Sequence, residues 1–222
     1  MRRMLVLSAL LLSGMNVEAK DVEWDLDKSH TSVTFSVRHL GITKVKGSFH
    51  EFSAQIRGEP QTAHLTSLHA TIEVGSVDTG MAKRDAHLKA DDFFAAKKFP
   101  QMQLSIEKIQ WKKDAFSGTI KLRLRDVSKS IAVQGELLGI QKTNFGKGEQ
   151  LRAGYSVHFE INRKDFGLTF GALSEGVAIV GDRVKVPTAD LHDAADDGLE
   201  DGLVRRVVHA VLEREVDRVA LR

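Results

Sequence analysis

The 222-residue chain has no cysteine, so neither a disulfide nor a thiolate metal ligand holds the fold, and a lipoprotein anchor is excluded. Proline is scarce, with three residues, and none falls inside a strand-like run before Pro187. No run of eighteen apolar residues occurs, which argues against a transmembrane helix. The net charge of +2 comes from lysines and arginines that alternate with acids, and no basic block points to nucleic acid. Hydrophobic content of 42% and charged content of 28% fit a soluble globular chain that stands on burial and strand pairing alone.

A cadence is present in place of what is missing. From about Thr31 to Val186 the chain reads as short strands with every second residue apolar. Val33, Phe35 and Val37 open it. The run from Val45 to Arg57 changes parity near His50 and Glu51, which predicts one long strand bent by a β-bulge. Leu68 to Val74 follows, then Met102, Leu104 and Ile106, then Phe116, Ile120 and Leu122. Ile131 to Leu137, Tyr155 to Ile161 and Val177 to Val186 complete eight strands. Eight alternating strands predict a closed all-β barrel that can hold one small apolar guest.

Between the third and fourth strands lies a polar, helix-forming insert, Asp78 to Phe94, with Asp78 or Thr79 as its cap. Such a segment often covers a barrel end, with Leu88, Phe93 and Phe94 turned to the cavity. The predicted lining is Val33, Phe35, Val37, Phe52, Ile56, Ile72, Leu88, Phe93, Phe94, Met102, Leu104, Ile106, Ile120, Leu122, Phe159 and Ile161. Composition alone does not separate a lined tunnel from a packed core.

Catalytic and metal chemistry find little footing. The nine histidines show no His-x-His or His-Glu-x-x-His spacing, so no metal is expected, although His30 and His39 can converge on one barrel end. Ser29 and His30, read as strand neighbours, point to opposite faces, and no Gly-x-Ser-x-Gly elbow occurs. No enzyme activity and no cofactor are expected. Arg84, Asp85 and His87 form the tightest charged cluster. Arg84, His87 and His39 are the candidates for a ligand's polar head, since a guanidinium forks onto phosphate or carboxylate oxygens; the alternative is that Arg84 and Asp85 tie the insert to the barrel.

Three segments are expected. Residues 1–19, with Arg2 and Arg3 before an apolar run and Ala19 at the end, read as a cleaved secretory signal peptide, the alternative being an N-terminal anchor left uncut. Residues 20–186 are the barrel. Residues 187–222 are an atypical acidic tail, either helical or disordered. The tail has five Arg, no Lys and nine acids (5 − 9 = −4), whereas residues 20–186 carry 25 cations against 20 acids (25 − 20 = +5). Leu199, Leu203, Val207, Val211 and Leu212 share one helical face, so the tail reads as a linker plus an amphipathic helix outside the cavity.

Several motifs together resemble the YceI-like family. They are Trp24, Leu26, Asp27, Ser29, His30 and Ser32 in an opening signature, then Val37, His39, Gly41, Val45, Gly47 and Phe49 in a first hairpin. Thr79, Arg84, Asp85, His87, Leu88, Phe93, Phe94, Phe99 and Pro100 match the insert, and Arg163, Phe166 and Gly167 a late strand–turn motif. The resemblance covers Glu23 to Val186 and implies a periplasmic, antiparallel, lipocalin-like barrel that binds a long apolar lipid, an isoprenoid first. The rivals are sequestration of small amphiphiles such as fatty acids or amides, and a stress-linked structural protein with a filled barrel. A homodimer and transient membrane contact are compatible with the resemblance; no motif demands either. The family continues its last strand where Pro187 interrupts this one. Either a real appendage or an altered reading frame accounts for that, and the abrupt loss of lysine favours the second.

Overall fold

The structure, a computed structural model, describes residues 21–144, 148–171, 173–174, 177–186 and 209–215. The expected signal peptide lies outside the described residues, as does the tail at 187–208 and 216–222. The strands are β1 (Val22–Asp27), β2 (Val33–His39), β3 (Thr43–Phe49), β4 (Phe52–Gly58), β5 (Leu65–Glu73) and β6 (Val77–Asp78), followed by helix α1 (Ala82–Leu88). Then come β7 (Gln101–Lys112), β8 (Ala115–Leu124), β9 (Val127–Thr143), β10 (Gln150–Asn162), β11 (Leu173–Ser174), β12 (Val177–Ala178), β13 (Val180–Val186) and β14 (His209–Glu215).

Twelve of these strands form one curled antiparallel sheet in the order β14-β1-β4-β5-β7-β8-β9-β10-β13-β2-β3-β6. β14 also pairs with β10, so the hydrogen-bonded circuit returns on itself. The expected count of eight strands is therefore corrected. One cause is the opening stretch around Trp24, which is a strand in its own right. A second is the run from Val45 to Arg57, which is two strands, β3 and β4, and not one bulged strand. At His50 and Glu51 the backbone bonds leave the ladder: His50 N–H donates to the Ser76 carbonyl, Glu51 N–H to Ser76 Oγ, and Glu73 N–H to the Glu51 carbonyl. The parity change marks a turn, because those groups are committed to residues 73–76.

The tail contains the largest correction. Val211 and Leu212, expected on a helical face, lie in β14, where Leu212 is in register with both Leu26 of β1 and Ala153 of β10. β13 ends with Val186 opposite Phe159, and β14 begins with His209 opposite Ser156. Two residues of β10 separate those partners, while 22 residues of chain separate Val186 from His209. β13 and β14 thus occupy one strand lane, interrupted by an excursion. Their neighbours repeat the pattern: β2 pairs β13 and β1 pairs β14, with a kink at residues 28–32 between them. A short alternating stretch needs only period two to sit in a sheet whose two edges await a partner, and that overrides helical spacing.

Burial follows the pleat. β8 alternates buried Phe116, Ile120, Leu122 and Leu124 with exposed Lys121 and Arg123. One end of the interior is packed solid by Trp24, Ile56, Leu65, Leu151, Ala153 and Tyr155. Burial pushes the Tyr155 phenol far above its ordinary value, and its hydroxyl donates to the Ala63 carbonyl. The other end, around Phe49, Ile72, Ile106, Ile120 and Phe166, is wider and carries the cavity described below.

Arg163, 3% exposed, fastens β13 to the turn after β10. Its guanidinium donates to the carbonyls of Gly181 (3.0 Å), Leu168 (2.7 Å) and Val180 (3.2 Å) and to the Asp182 carboxylate (3.1 Å). Lys164 Nζ reaches the other Asp182 oxygen at 2.9 Å. The hydrogen bond from Lys164, then the charges of Lys164 and Arg163, hold the Asp182 carboxyl below the usual aspartate value. A folded value below the unfolded one means that this contact stabilises at neutral pH and is lost as pH falls through the carboxylate range. Between about pH 5 and pH 2 the wild-type melting temperature is therefore expected to fall further than that of Asp182→Asn. The difference is small because Asp182 is half-exposed. Parallel thermal melts across that range check it.

Candidate ligand cavity

The inner faces of β2, β4, β5, β7, β10 and β13 surround a cavity of about 210 Å³. Its lining includes Val33, Phe35, Val37, Phe52, Ile56, Ile72, Met102, Leu104, Ile106, Leu122, Phe159 and Ile161, with Leu88, Phe93 and Phe94 from the insert. Of the predicted lining, Ile120 alone is absent from the wall; it is fully buried in the core beside it. The sequence reading missed Leu26, Leu68, Leu124, Val157, Leu168, Val180, Val184 and Val186, which also line the space. For most of these the alternating pattern was the available signal.

Half-burial separates a lined space from a packed core. Phe35, Phe52, Leu104, Phe159 and Ile161 all face inward, yet none is fully buried. An inward side chain in a close-packed interior has no free surface. Here the free surface belongs to the cavity. Ile56 and Ile106, 0% and 1% exposed, mark its packed floor.

The insert is held over one end by local chemistry. α1 is shorter than expected, and its N-cap is Met81, not Asp78 or Thr79. Asp85 supplies the anchor from inside the helix: its carboxylate accepts from Thr79 N–H (2.9 Å) and from Thr79 Oγ1 (2.5 Å). Arg84 donates to Thr79 Oγ1 and to the Thr79 carbonyl, both at 2.7 Å. Arg125 Nη1 donates to the carbonyls of Phe93 and Gly167, and Phe170 N–H reaches the Asp92 carbonyl at 3.3 Å. The Phe93 ring stacks on Phe170 with centroids 5.0 Å apart. These bonds fix Phe93 and Phe94 against the cavity.

The three head-group candidates do not line the cavity. Arg84 is engaged with Thr79. His87 contacts the Asp92 carboxylate at 2.8 Å and meets the rings of Phe93 and Phe170 edge-on. His39 closes β2 opposite Thr43 and Val180, and His30 precedes the other end of β2, so the two histidines do not converge. The polar residues that do border the space are Thr31, Thr34, Ser53 and the committed Arg163.

A second correction concerns Ser29 and His30. They sit in the turn after β1, not on a strand, and their side chains meet: Ser29 Oγ lies 3.0 Å from His30 Nδ1 and 2.5 Å from Asp27 Oδ1. Asp27 Oδ2 approaches the same nitrogen, His30 Nδ1, at 2.7 Å. Relay between serine and aspartate needs the two opposite ring nitrogens, and here both partners share one. The cluster instead closes the kink between β1 and β2. Arg152 of β10 reaches Asp27 at 3.3 Å across the lane of β14. Among the described residues no group of three metal-ligating side chains occurs.

A sequence profile described as the YceI-like domain matches residues 24–189. The chain belongs to the YceI-like family. It is 29% identical to a UPF0312 protein of Photorhabdus laumondii over 162 residues, 73% of this chain and 83% of that one. A UPF0312 protein of Yersinia pestis is 29% identical over 178 residues, 79% of this chain and 91% of that one. Among solved structures, the YceI protein of Campylobacter jejuni is 35% identical with a TM-score of 0.55, covering 72% of this chain and 94% of its own. BcnA of Burkholderia cenocepacia shares the fold at 20% identity, with a TM-score of 0.59 over 86% of this chain and 99% of its own. A polyisoprenoid-binding domain of Saccharophagus degradans shares it at 14% identity, with a TM-score of 0.55 over 87% of this chain and 98% of its own.

Proposed function

We propose that this YceI-like protein binds and carries the hydrocarbon chain of an apolar lipid, an isoprenoid before other chains, in the periplasm, and that it does so without catalysis. The observation that carries the reading is the half-buried apolar wall around the cavity. The polyisoprenoid-binding domain of Saccharophagus degradans, which has the same fold, supports the isoprenoid as first choice. The leader-like pattern of residues 1–19 supports the compartment.

Binding is by burial. Each methylene withdrawn from water contributes about 0.8 kcal/mol, so a chain is held without polar contacts. The head plays a small part in this reading, because Arg84, His87 and Arg163 are committed to protein partners. Size sharpens the reading. A dry cavity of about 150 Å³ takes up benzene, and pockets that enclose drug-sized molecules measure about 300–1,000 Å³. At about 210 Å³ this space takes a short hydrocarbon segment as it stands. A full polyisoprenoid exceeds that volume, so the wall has to open to admit it. The same volume favours, as the second reading, a short-chain amphiphile that enters without rearrangement.

Native mass spectrometry of the mature protein isolated from a bacterial periplasm tests both. A bound mass from a series spaced by isoprene units is the expected result. A fatty acid or amide mass would select the second reading. A ligand-free spectrum, together with no uptake of added geranylgeraniol, would overturn both.

A further inference from the structure

We propose that the outer face of the β13–β2–β3 flap docks on the surface of an anionic phospholipid bilayer, with Ile42 at the tip of the β2–β3 hairpin entering the interface. The flap extends from β10 beyond the circuit closed by β14. Its inner residues Phe35, Val37 and Val184 are cavity wall. Its outer face carries rows of cations. Lys185, Ser36 and Lys46 stand in register across three strands, and Arg38 stands opposite Lys44 one row on. Arg183 shares this face and is paired with Glu160 at 3.3 Å. Among the described residues this face carries the exposed cations Arg38, Lys44, Lys46, Arg183 and Lys185 and the carboxylate of Glu160. Lys46 and Lys185 have no carboxylate partner among the described residues. The wall across the cavity has fewer cations on its outer side, where Lys121 and Arg123 stand beside Gln55, His69, Gln103 and Ser105.

The tip supplies the apolar component. Ile42 is 81% exposed, the highest value among the large exposed apolar side chains. It follows Leu40 and Gly41, both at positive φ (51° and 74°), in a tight turn that projects it. Leu173, 67% exposed, lies at the same end: it pairs with Ala178, which precedes Ile179, whose carbonyl accepts from Leu40 N–H. Exposed apolar residues rimmed by cations match a headgroup layer of negative charge over hydrocarbon.

Edge protection accounts for only part of the charge. Lysines on an edge strand deter sheet-to-sheet pairing, and among the described residues β3 has no partner on one side from Thr43 to Gly47. That reason covers Lys44 and Lys46. It does not cover Arg38, Arg183 and Lys185, which stand on β2 and β13, strands with both neighbours in place.

The docking is independent of what fills the cavity, so its test reads attachment alone. The full chain is mixed at low salt with vesicles of phosphatidylcholine, with and without a minority of phosphatidylglycerol, and the bound fraction is measured by flotation. Binding is expected only with phosphatidylglycerol, and it should fall as salt rises. Lys46→Gln/Lys185→Gln should weaken it about fivefold per cation removed, with an unchanged melting temperature. Ile42→Ser should weaken it further. Lys121→Gln/Arg123→Gln on the opposite wall should leave it unchanged. The proposal is overturned if the chain does not float with anionic vesicles, if it binds neutral vesicles equally, or if the opposite-wall variant loses as much as the flap variant.

Discussion

A chain that stops after Val186 is expected to lose most of its stability, whereas one that lacks only residues 187–206 is expected to keep it. β14 lies in the lane that β13 leaves, with seven residues in register on β10 and three on β1. At a net contribution of about 1 kcal/mol per backbone hydrogen bond, its loss removes several kcal/mol. That is comparable with the whole stability of a domain, about 5–15 kcal/mol. It also bares two facing strand edges, which promotes association between chains. The internal deletion leaves Val207 and Val208 as a two-residue bridge, the spacing that β10 sets between Phe159 and Ser156. Shortening a 22-residue connection to two lowers the closure cost by about 2 kcal/mol when each doubling costs about 0.6 kcal/mol. Circular dichroism melts of both variants decide the matter. A truncated chain that melts like the full one would show that β14 contributes nothing, as the sequence expectation of an appended tail had it.

The reasons the sequence missed this lane are specific. Val211 and Leu212 satisfy helical spacing with Leu199, Leu203 and Val207, and a short apolar pair is also compatible with a strand. Only the edges of β1 and β10, more than fifty residues away along the chain, decide between them. The inner wall was legible for the opposite reason. Alternation in β2, β7, β8 and β10 fixes which residues point inward without any knowledge of neighbours. It was silent on which inward residues stand free and which are packed, so Ile120 and Leu104 looked alike. The helical insert was legible as a helix but not at its start, because Met81 takes the N-cap position while Thr79 is bonded to Asp85 from outside the helix. Ser29 and His30 were read as strand residues, since the kink at residues 28–32 interrupts a lane that otherwise continues through β1 and β2. The head-group candidates failed on partners: Arg84 and His87 carry the expected charge, but Thr79 and Asp92 hold them.

The distinction between free and packed wall residues yields the strongest expected effect on binding. Leu104→Trp should weaken uptake of a hydrocarbon chain about thirtyfold and leave the fold intact. Leu104 is half-buried, faces the 210 Å³ space and pairs with Ala70 on one side and Leu122 on the other. An indole there grows into empty space, so overpacking, which elsewhere costs about 1–3 kcal/mol, is largely avoided. The ligand loses that volume. Excluding two or three methylenes at about 0.8 kcal/mol each removes about 2 kcal/mol of affinity, a loss of roughly thirtyfold. The same substitution at Ile106 behaves differently. Ile106 lines the cavity but is 1% exposed, so the indole has no room and destabilises the sheet. Gln103→Trp, one residue away on the outer face, adds the same ring with no access to the cavity and should change neither property. Titration with geranylgeraniol, read beside the melting temperature of each variant, separates the three. Equal affinity in a folded Leu104→Trp protein would place the hydrocarbon elsewhere. A tenfold or greater loss confined to that variant would put the chain against β7, within the curled sheet.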